Sequence, residues 1–275
     1  MFQRLVGSLA RAQTARVFRA LEILVRIVSA RLDDGARLEL VRHLVRGVIP
    51  NYRLKWPQMT WWEDPSFDQY LEKFGEKDGF NADRRFCLWQ LLRLVDAVEG
   101  DTAECGVYRG AGSYLICAGN AVSRMPRTHH AFDSFEGLSE PSNKDGSHWR
   151  TGDLATPIEI VRSALSCFKR VSLHKGWIPK CLDEVASGSF AFVHVDVDLY
   201  QPTLDSVRFF YPRMSRHAIL VCDDYGFTTC PGATKACEEA LEGKPERFVS
   251  LPDGGGFFIT GVATALSTDV AARVP

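Results

Sequence analysis

The sequence predicts an α/β fold built on a buried, mostly parallel sheet, and three observations lead to this prediction. Two short apolar runs, FAFVHV (190–195) and HAILVC (217–222), are each followed at once by acidic residues. Apolar runs of this length are typical of strands that are buried on both faces. The segment between them, 201–214, has apolar residues at helical spacing and Pro202 near its start, where proline is favoured. A right-handed crossover would then bring both strand ends to the same edge of the sheet.

The acidic residues at these strand ends indicate a metal site. Asp196 and Asp198 follow the first run, and Asp223 and Asp224 follow the second. Neighbouring strands lie only about 5 Å apart, so these carboxylates would repel one another and raise their own pKa values unless a cation lay among them. Carboxylate oxygens are hard ligands, which favours Mg²⁺, with Mn²⁺ or Ca²⁺ as alternatives. The other interpretation, helix caps or solvated loop residues, explains one such acid better than a pair on each strand.

Composition limits the class of protein. A chain of 275 residues can form one large domain, or a domain with an extension. The formal net charge of −1 gives no reason to expect nucleic acid as a partner. The eight cysteines are scattered and form no CxxC pair, which is typical of reduced core thiols in a cytoplasmic protein. No apolar run approaches the roughly 18 residues of a membrane span, and the N-terminus lacks a signal-peptide pattern.

The first part of the chain predicts a helical extension. Apolar and basic residues alternate at helical spacing over 1–48, with a break at 33–35. Such a segment could lie on a membrane surface, or it could pack against the protein itself or a second subunit. We favour the second interpretation, and with it a homo-oligomer (dimer), because the apolar stripe is too large to leave in water. Residues 49–78 contain three prolines and a cluster of aromatic residues, which predicts an irregular arm over the active site or a subunit interface.

A glycine-rich turn points to the first ligand. A helical pattern over 80–98 is followed by a short strand over 102–106, glycines at 106, 110 and 112, and a helix that begins near Ala111–Ser113. The glycines allow close approach of a ligand to the backbone, and the helix N-terminus offers free N–H groups. The spacing fits neither GxGxxG nor the Walker lysine pattern, which argues against dinucleotides and nucleoside triphosphates. Glu104, inside this segment, would repel phosphate but suits an ammonium group.

The next strand, THHAFD, adds a ribose contact. It ends at Asp133, 27 residues after Gly106, and an acid at this place commonly accepts hydrogen bonds from ribose hydroxyls. A nucleoside that lacks phosphate and carries an ammonium group fits S-adenosylmethionine. The polar segment 139–157 then predicts a mobile loop over the site. Its residues His148, Trp149 and Asp153 could contact an acceptor, or could be ordinary loop residues.

The rest of the chain completes the sheet. A helix over 157–168, a strand over 171–177 and a helix over 232–243 surround the two strands described first. The segment 247–262 predicts a closing antiparallel hairpin, which turns through an Asp-Gly-Gly sequence at 253–255.

Five segments, in this order, resemble the class I S-adenosylmethionine-dependent methyltransferases and, within that class, the macrocin O-methyltransferase family. This family includes sugar methyltransferases of macrolide and aminocoumarin pathways. The segments are AECGVYRGAGS (103–113), DSFEGLSEP (133–141), LHKGWIP (173–179), HVDVDLYQPTLD (194–205) and CDDYGFTTCPGATKA (222–236). The resemblance implies a Rossmann-like sheet of order 3-2-1-4-5-7-6 with strand 7 antiparallel. It places the N-terminal extension and arm at 1–78, the catalytic domain at 79–266 and a tail at 267–275.

The resemblance also implies the roles of individual residues. Asp196, Asp223 and Asp224 match the metal ligands. Asp198 matches an acid proposed as the catalytic base, and Asp196 is implied as a catalytic residue as well as a metal ligand. His148 is the next candidate for the base. The residues implied in cofactor binding are Glu104, Gly106, Tyr108, Ser113, Asp133, Ser134, Gly176 and Trp177.

The function implied is S-adenosylmethionine- and Mg²⁺-dependent O-methylation of a sugar hydroxyl on a glycoside or glycosylated natural product. Methyl transfer from a sulfonium is an in-line displacement, so the protein mainly has to align the acceptor oxygen with the methyl group. Asp198, two residues beyond Asp196, would face this oxygen if the chain is still extended there. The alternatives are methylation of a catechol or other phenolic diol, and a non-catalytic scaffold. The intact acids of both ligand sites argue against a scaffold.

Overall fold

The computed structural model describes residue 14 and residues 17–25, 34–49, 59–77 and 81–264. The chain divides into two compact units, Met1–Asp68 and Gln69–Pro275. Several predictions lie outside the described residues: the helical pattern at 1–13 and 26–33, the part of the arm at 50–58, and the tail at 267–275.

The first unit contains helical segments, as the extension pattern predicts. Residues 17–25 are helical, and helix α1 spans Asp34–Val48. Helix α1 therefore begins inside the break predicted at 33–35. Ala20, Ile23 and Leu40 are buried together and hold these two helical segments against each other.

The arm is helical over part of its length, so the irregular conformation predicted for 49–78 is wrong there. A 3-10 helix spans Thr60–Glu63, and helix α2 spans Pro65–Phe74. The carboxylate of Asp64 caps α2, because its Oδ1 accepts hydrogen bonds from the Ser66 N–H (2.9 Å) and the Phe67 N–H (3.1 Å). Pro65 is the first residue of α2, where the missing N–H costs nothing.

The second unit is built on a seven-stranded sheet. The strand order is β3-β2-β1-β4-β5-β7-β6, and β7 pairs antiparallel with both β5 and β6. This order and the antiparallel seventh strand confirm the predicted topology. The strands are β1 Asp101–Cys105, β2 His129–Asp133, β3 Val171–Lys175, β4 Phe190–Val195, β5 Met214–Cys222, β6 Val249–Ser250 and β7 Gly256–Ile259.

Helix α3, Ala82–Leu94, precedes β1, and the helices that follow it connect successive strands. They are α4 Ala111–Val122, α5 Ile158–Ala164, α6 Tyr200–Phe210 and α7 Pro231–Ala240, with 3-10 helices at Lys180–Val185 and Tyr211–Arg213. Helix α6 begins two residues before Pro202. Its first N–H, that of Tyr200, donates to the carboxylate of Asp145 (2.5 Å) from the polar loop, so a side chain distant in sequence fixes this helix end.

The register of the central strands positions the site. All residues of β4 are buried, and the core around this strand includes Phe190, Val193 and Phe210. Cys105 of β1 pairs with Val195 of β4, which in turn pairs with Cys222 of β5. The three strands therefore end level with one another. The residues that follow them meet at one edge, as the crossover argument predicts.

No helix among the described residues is both long enough and apolar enough to cross a bilayer. All eight cysteines are free, and all except Cys87 and Cys167 are buried.

Candidate active site

A cavity of about 770 Å³ opens at the carboxyl edge of β1, β4 and β5. Apart from Ser113, every residue predicted to bind the cofactor and every acid of the predicted metal site lines this cavity. The structure thus brings the predicted cofactor residues and the acid cluster into one space. They are Glu104, Gly106, Tyr108, Asp133, Ser134, Gly176 and Trp177, together with Asp196, Asp198, Asp223 and Asp224.

Two glycines are required by the packing of the site itself. Gly106 has a φ of +81°, and a Cβ there would lie 1.7 Å from the carbonyl oxygen of Asp196. At Gly112, a Cβ would lie 2.0 Å from Oε1 of Glu104. Any other residue at either position would displace the backbone after β4 or the carboxylate of Glu104. These glycines thus set the close approach of β1, β4 and the start of α4.

Glu104 is buried, yet it lines the cavity. Its carboxylate accepts a hydrogen bond from the hydroxyl of Ser113, and Oε1 lies 2.8 Å from Nδ1 of His194. Ser113 itself is fully buried and contacts Glu104 from behind rather than lining the cavity. Ser113 is therefore placed to orient the carboxylate and not to contact a ligand.

Asp133 holds the glycine turn against the end of β2. Its Oδ2 accepts hydrogen bonds from the N–H groups of Val107 (2.7 Å) and Tyr108 (3.2 Å), and its Oδ1 accepts one from Phe135 (2.6 Å). A carboxylate offers about four acceptor positions, so these bonds leave about one for a ligand hydroxyl. Asp133 thus has a structural role that the sequence analysis did not anticipate.

Further residues form the wall beyond Asp133. The hydroxyl of Ser134 donates to the carbonyl of Gly137 (2.9 Å), and the N–H of Gly176 donates to the carbonyl of Asp133 (2.9 Å). The side chain of Trp177 is 43% exposed and lines the cavity. An exposed indole beside a cavity offers a flat apolar face to a planar ligand.

The four predicted acids lie together but form two groups. Ligand atoms of His194, Asp196 and Asp223 lie within 4.8 Å of one another, and so do those of Asp198, Asp224 and Cys230. Asp198 has a φ of +59°, so the chain is not extended after β4, and the condition for Asp196 and Asp198 to share a face is not met. Instead, the N–H of Asp198 donates to Oδ2 of Asp224 (2.8 Å).

The carboxylates of this cluster differ in their pKa values. Burial, reinforced by the other acids, raises the pKa of Asp196 well above its ordinary value. Burial and the charge of Asp224 raise the pKa of Asp198 to about 9, and burial and the charge of Asp223 raise that of Asp224 to about 6. Burial would also raise the pKa of Asp223, but Arg84 and His194 outweigh it and hold the value below the ordinary range.

Two arginines of α3 belong to the site, and the sequence analysis missed them. Arg84 donates to the carboxylate of Asp223, and its guanidinium lies 5.0 Å from the ring centroid of Phe227. Arg85 is buried, pairs with Glu76 (3.0 Å) and lies 3.9 Å from Oδ2 of Asp196. The available signal was the pair of arginines in the first turn of an otherwise apolar helix pattern.

The donor set fits a divalent cation. Asp196 and Asp223 offer carboxylate oxygens within 4.8 Å of each other, and Asp224, in the second group, lines the same cavity. Carboxylate oxygens are the ligands that Mg²⁺ prefers. Nε2 of His194 is buried, has no hydrogen-bond partner in the part of the chain that the structure describes, and lies 3.5 Å from Oδ1 of Asp223. Arg84 pairs with Asp223, and Arg85 lies 3.9 Å from Asp196. Neither arginine forms such a pair with Asp198 or Asp224, whose charge a cation would balance.

The polar loop over the site is anchored at several points. Trp149 lines the cavity, and its indole N–H donates to the sulfur of Cys230 (3.3 Å). His148 is exposed and packs edge-on against Trp149, with ring centroids 4.7 Å apart, and it does not line the cavity. Asp153 accepts the N–H of Arg150 (2.9 Å) within the loop. Of the three loop residues predicted as acceptor contacts, Trp149 is therefore the one that reaches the cavity.

Proteins with similar sequences include two named O-methyltransferases. The 8-demethyl-8-(2,3-dimethoxy-α-L-rhamnosyl)-tetracenomycin-C 4'-O-methyltransferase of Streptomyces olivaceus is 31% identical over 182 residues, which cover 60% of this chain and 67% of that protein. The demethyldecarbamoylnovobiocin O-methyltransferase of Streptomyces niveus is 30% identical over 231 residues, which cover 75% and 86%.

Solved structures agree in fold. The O-methyltransferase NovP is 25% identical with a TM-score of 0.53, over 65% of this chain and 80% of NovP. The calicheamicin methyltransferase CalS11 is 21% identical with a TM-score of 0.58, over 84% and 95%. The sequence model described as macrocin O-methyltransferase (TylF) matches residues 87–243, which contain the whole acid cluster and all the predicted cofactor residues. The chain therefore belongs to the macrocin O-methyltransferase family, which confirms the predicted family and enzyme class.

Proposed function

We propose that the protein transfers a methyl group from S-adenosylmethionine to a sugar hydroxyl of a glycoside or glycosylated natural product, with the help of Mg²⁺. The observation that carries this proposal is the single cavity shared by Glu104, Asp133 and the acid cluster. The names of the similar proteins support the sugar acceptor, because one acts on a rhamnosyl compound and another is a mycinamicin III 3''-O-methyltransferase.

The cofactor residues have separate tasks. S-adenosylmethionine supplies a methyl group on a positively charged sulfonium. The carboxylate of Glu104, held by Ser113 and His194, is placed to bind the ammonium of the methionine portion. Asp133 has one acceptor position left for a ribose hydroxyl, and the exposed indole of Trp177 is suited to the adenine. Together these residues orient the donor, which is the main requirement of an in-line displacement.

The acid cluster activates the acceptor. A divalent cation at such a site lowers the pKa of a coordinated hydroxyl. Asp196, Asp223 and Asp224 would hold it. Asp198 then has the position of a base, because it lines the cavity beside Asp224. Burial raises the pKa of Asp198 to about 9, so on its own it is protonated at neutral pH. A positive charge nearby favours its ionised form, so the base and the cation depend on each other.

A second candidate acceptor is a catechol or other phenolic diol. The same cation would serve it, and the aromatic side chains of Trp149 and Phe227 in the cavity wall favour a flat ring. Incubation with labelled S-adenosylmethionine, Mg²⁺ and a panel of glycosides and catechols distinguishes the sugar acceptor from the catechol acceptor. We expect label in a glycoside, and the Asp198→Asn variant serves as the blank. Label in the catechols alone would replace the sugar assignment, and label in neither acceptor would contradict both.

We also propose that the catalytic domain comprises residues 79–266 and that the N-terminal extension mediates dimerisation. Phe18, Leu21 and Val48 are exposed apolar side chains in the first unit, which supports an apolar contact there. Deletion of residues 1–30 should reduce the mass in sedimentation or the solubility. An unchanged mass, together with binding of the full chain to anionic liposomes, would favour a membrane-surface helix instead.

A further inference from the structure

His194 is a buried residue in the middle of the site, and the proposed function uses it only as a partner of Glu104. It is the fifth residue of β4, its side chain is 0% exposed, and it does not line the cavity. In the sheet it pairs with Glu104 of β1 on one side and with Val221 of β5 on the other. It therefore lies beneath the cavity floor, between the strand that carries Glu104 and the strand that precedes Asp223.

The two ring nitrogens of His194 face two different carboxylates. Nδ1 lies 2.8 Å from Oε1 of Glu104, and Nε2 lies 3.5 Å from Oδ1 of Asp223. Glu104 belongs to the proposed cofactor site and Asp223 to the proposed metal site. The imidazole is rigid, so its two nitrogens keep a fixed separation, and both carboxylates are positioned relative to one ring.

His129 provides a contrast within the same sheet. It is also fully buried, but it lies on β2, on the other side of β1. Its Nε2 lies 2.9 Å from the hydroxyl of Ser113, and its Nδ1 lies 3.1 Å from that of Thr102. His129 can therefore act on Glu104 through Ser113, whereas it makes no hydrogen bond to an acid of the cluster. A variant of His129 therefore shows how the loss of a buried histidine near Glu104 changes ligand binding when no contact with Asp223 is lost.

We propose that His194 is a positioning residue that orients Glu104 and Asp223 together, and so joins the cofactor-binding and metal-binding parts of the cavity. This inference rests on the function proposed above. Neither carboxylate can turn to water on its buried side, so loss of a ring nitrogen leaves it misdirected rather than solvated. Each ring nitrogen should therefore affect one ligand and not the other.

Two amide variants separate the two nitrogens. His194→Asn retains an N–H donor near Nδ1, and His194→Gln retains one near Nε2. The Asn variant should bind Mn²⁺ about tenfold more weakly while its affinity for S-adenosylhomocysteine changes by less than about threefold. The Gln variant should show the reverse. Calorimetry measures the affinity for S-adenosylhomocysteine, and paramagnetic resonance measures free Mn²⁺. His129→Gln is the matched control, and it should weaken the binding of S-adenosylhomocysteine alone.

Several outcomes decide the proposal. Wild type that binds neither ligand overturns the proposed function and this inference together. This inference alone is overturned if the wild type binds both Mn²⁺ and S-adenosylhomocysteine, and the two folded His194 variants either lose the same ligand or lose no ligand. If the variants do not fold, nitrogen-15 spectra of the wild-type histidines replace them. The His194 ring signals should then shift on addition of diamagnetic Mg²⁺ and also on addition of S-adenosylhomocysteine, whereas those of His129 should shift only with S-adenosylhomocysteine. A His194 signal that ignores one ligand contradicts the proposal.

Discussion

Arg84, in the first turn of α3, donates a hydrogen bond to the carboxylate of Asp223, which follows β5. The guanidinium is also fixed against the ring of Phe227. It holds the pKa of Asp223 below its ordinary value, although the burial of this carboxylate acts in the opposite direction. An arginine therefore neutralises an acid that we assign to the metal, so the two cations compete for the same charge.

Replacement of Arg84 by glutamine should strengthen metal binding. The variant removes a positive charge that is bound to a carboxylate assigned to the cation, so we expect a gain on the order of tenfold in Mn²⁺ affinity from the lost Coulomb repulsion. Paramagnetic resonance titration measures it. Arg93→Gln, at the exposed end of the same helix, is the control, because Arg93 pairs with Gln90 outside the site. Weaker Mn²⁺ binding in Arg84→Gln would show that the arginine orients Asp223 instead of competing.

Asp223→Asn and Asp224→Asn should weaken the metal site. Each removes a negative charge that would balance the cation, so activity should fall and part of it should return at high Mg²⁺. In the wild type, EDTA should abolish turnover and Mg²⁺ should restore it. An enzyme that keeps full activity after chelation would mean that the acid cluster is structural.

Asp198→Asn tests the base. The φ of +59° at this residue is tolerated by asparagine, so the substitution should not disturb the backbone. Metal affinity should change little, whereas turnover should fall by a factor on the order of 10² to 10⁴. Excess Mg²⁺ should not restore it, and rescue by Mg²⁺ would instead make Asp198 a ligand. His148, the next candidate from the sequence, is exposed outside the cavity, so the base would have to be sought among the residues that line it.

The sequence predicts the sheet and most of the site, because both depend on local patterns. Apolar runs followed by acids define β4, β5 and the residues Asp196, Asp223 and Asp224. Contacts between distant parts of the chain leave no such pattern. Arg84 reaches Asp223 across 139 residues, and the N–H of Asp198 reaches the carboxylate of Asp224 across 26. The capping of α2 by Asp64 is local and could have been found, since an Asp before Pro is a recognised helix start.

Asp133→Ala should weaken the binding of S-adenosylhomocysteine by roughly 1 to 3 kcal/mol, because it removes the acceptor position left for a ribose hydroxyl and releases the N–H groups of Val107 and Tyr108. Calorimetry gives the affinity. Asp153→Ala is the matched control: its carboxylate also accepts a backbone N–H, that of Arg150, but it lies outside the cavity. Equal losses in both variants, or unchanged affinity in the first, would argue against a ribose contact.

The buried His129 should make the free energy of unfolding depend on pH, and a variant of this residue can separate its contribution from those of the other groups. Burial lowers the pKa of this histidine from 6.5 to about 4, and its hydroxyl partners do not compensate as the carboxylates do for His194, whose pKa is raised to about 10. Because the folded pKa is depressed, the unfolded chain binds the extra proton between about pH 6.5 and pH 4. The stabilisation is thus complete above pH 6.5 and is lost as the pH falls toward 4.

The lowered pKa of His129 corresponds to about 3 kcal/mol in the free energy of unfolding, at 1.36 kcal/mol for each pKa unit. His129→Gln cannot titrate, so urea unfolding of both proteins between pH 7 and pH 4 should show the wild type losing about 3 kcal/mol more than the variant. All other groups titrate in both proteins and cancel in this difference. Parallel stability curves would mean that His129 is protonated in the folded state, and the hydrogen bond between Ser113 and Glu104 would then have to accommodate a charged neighbour.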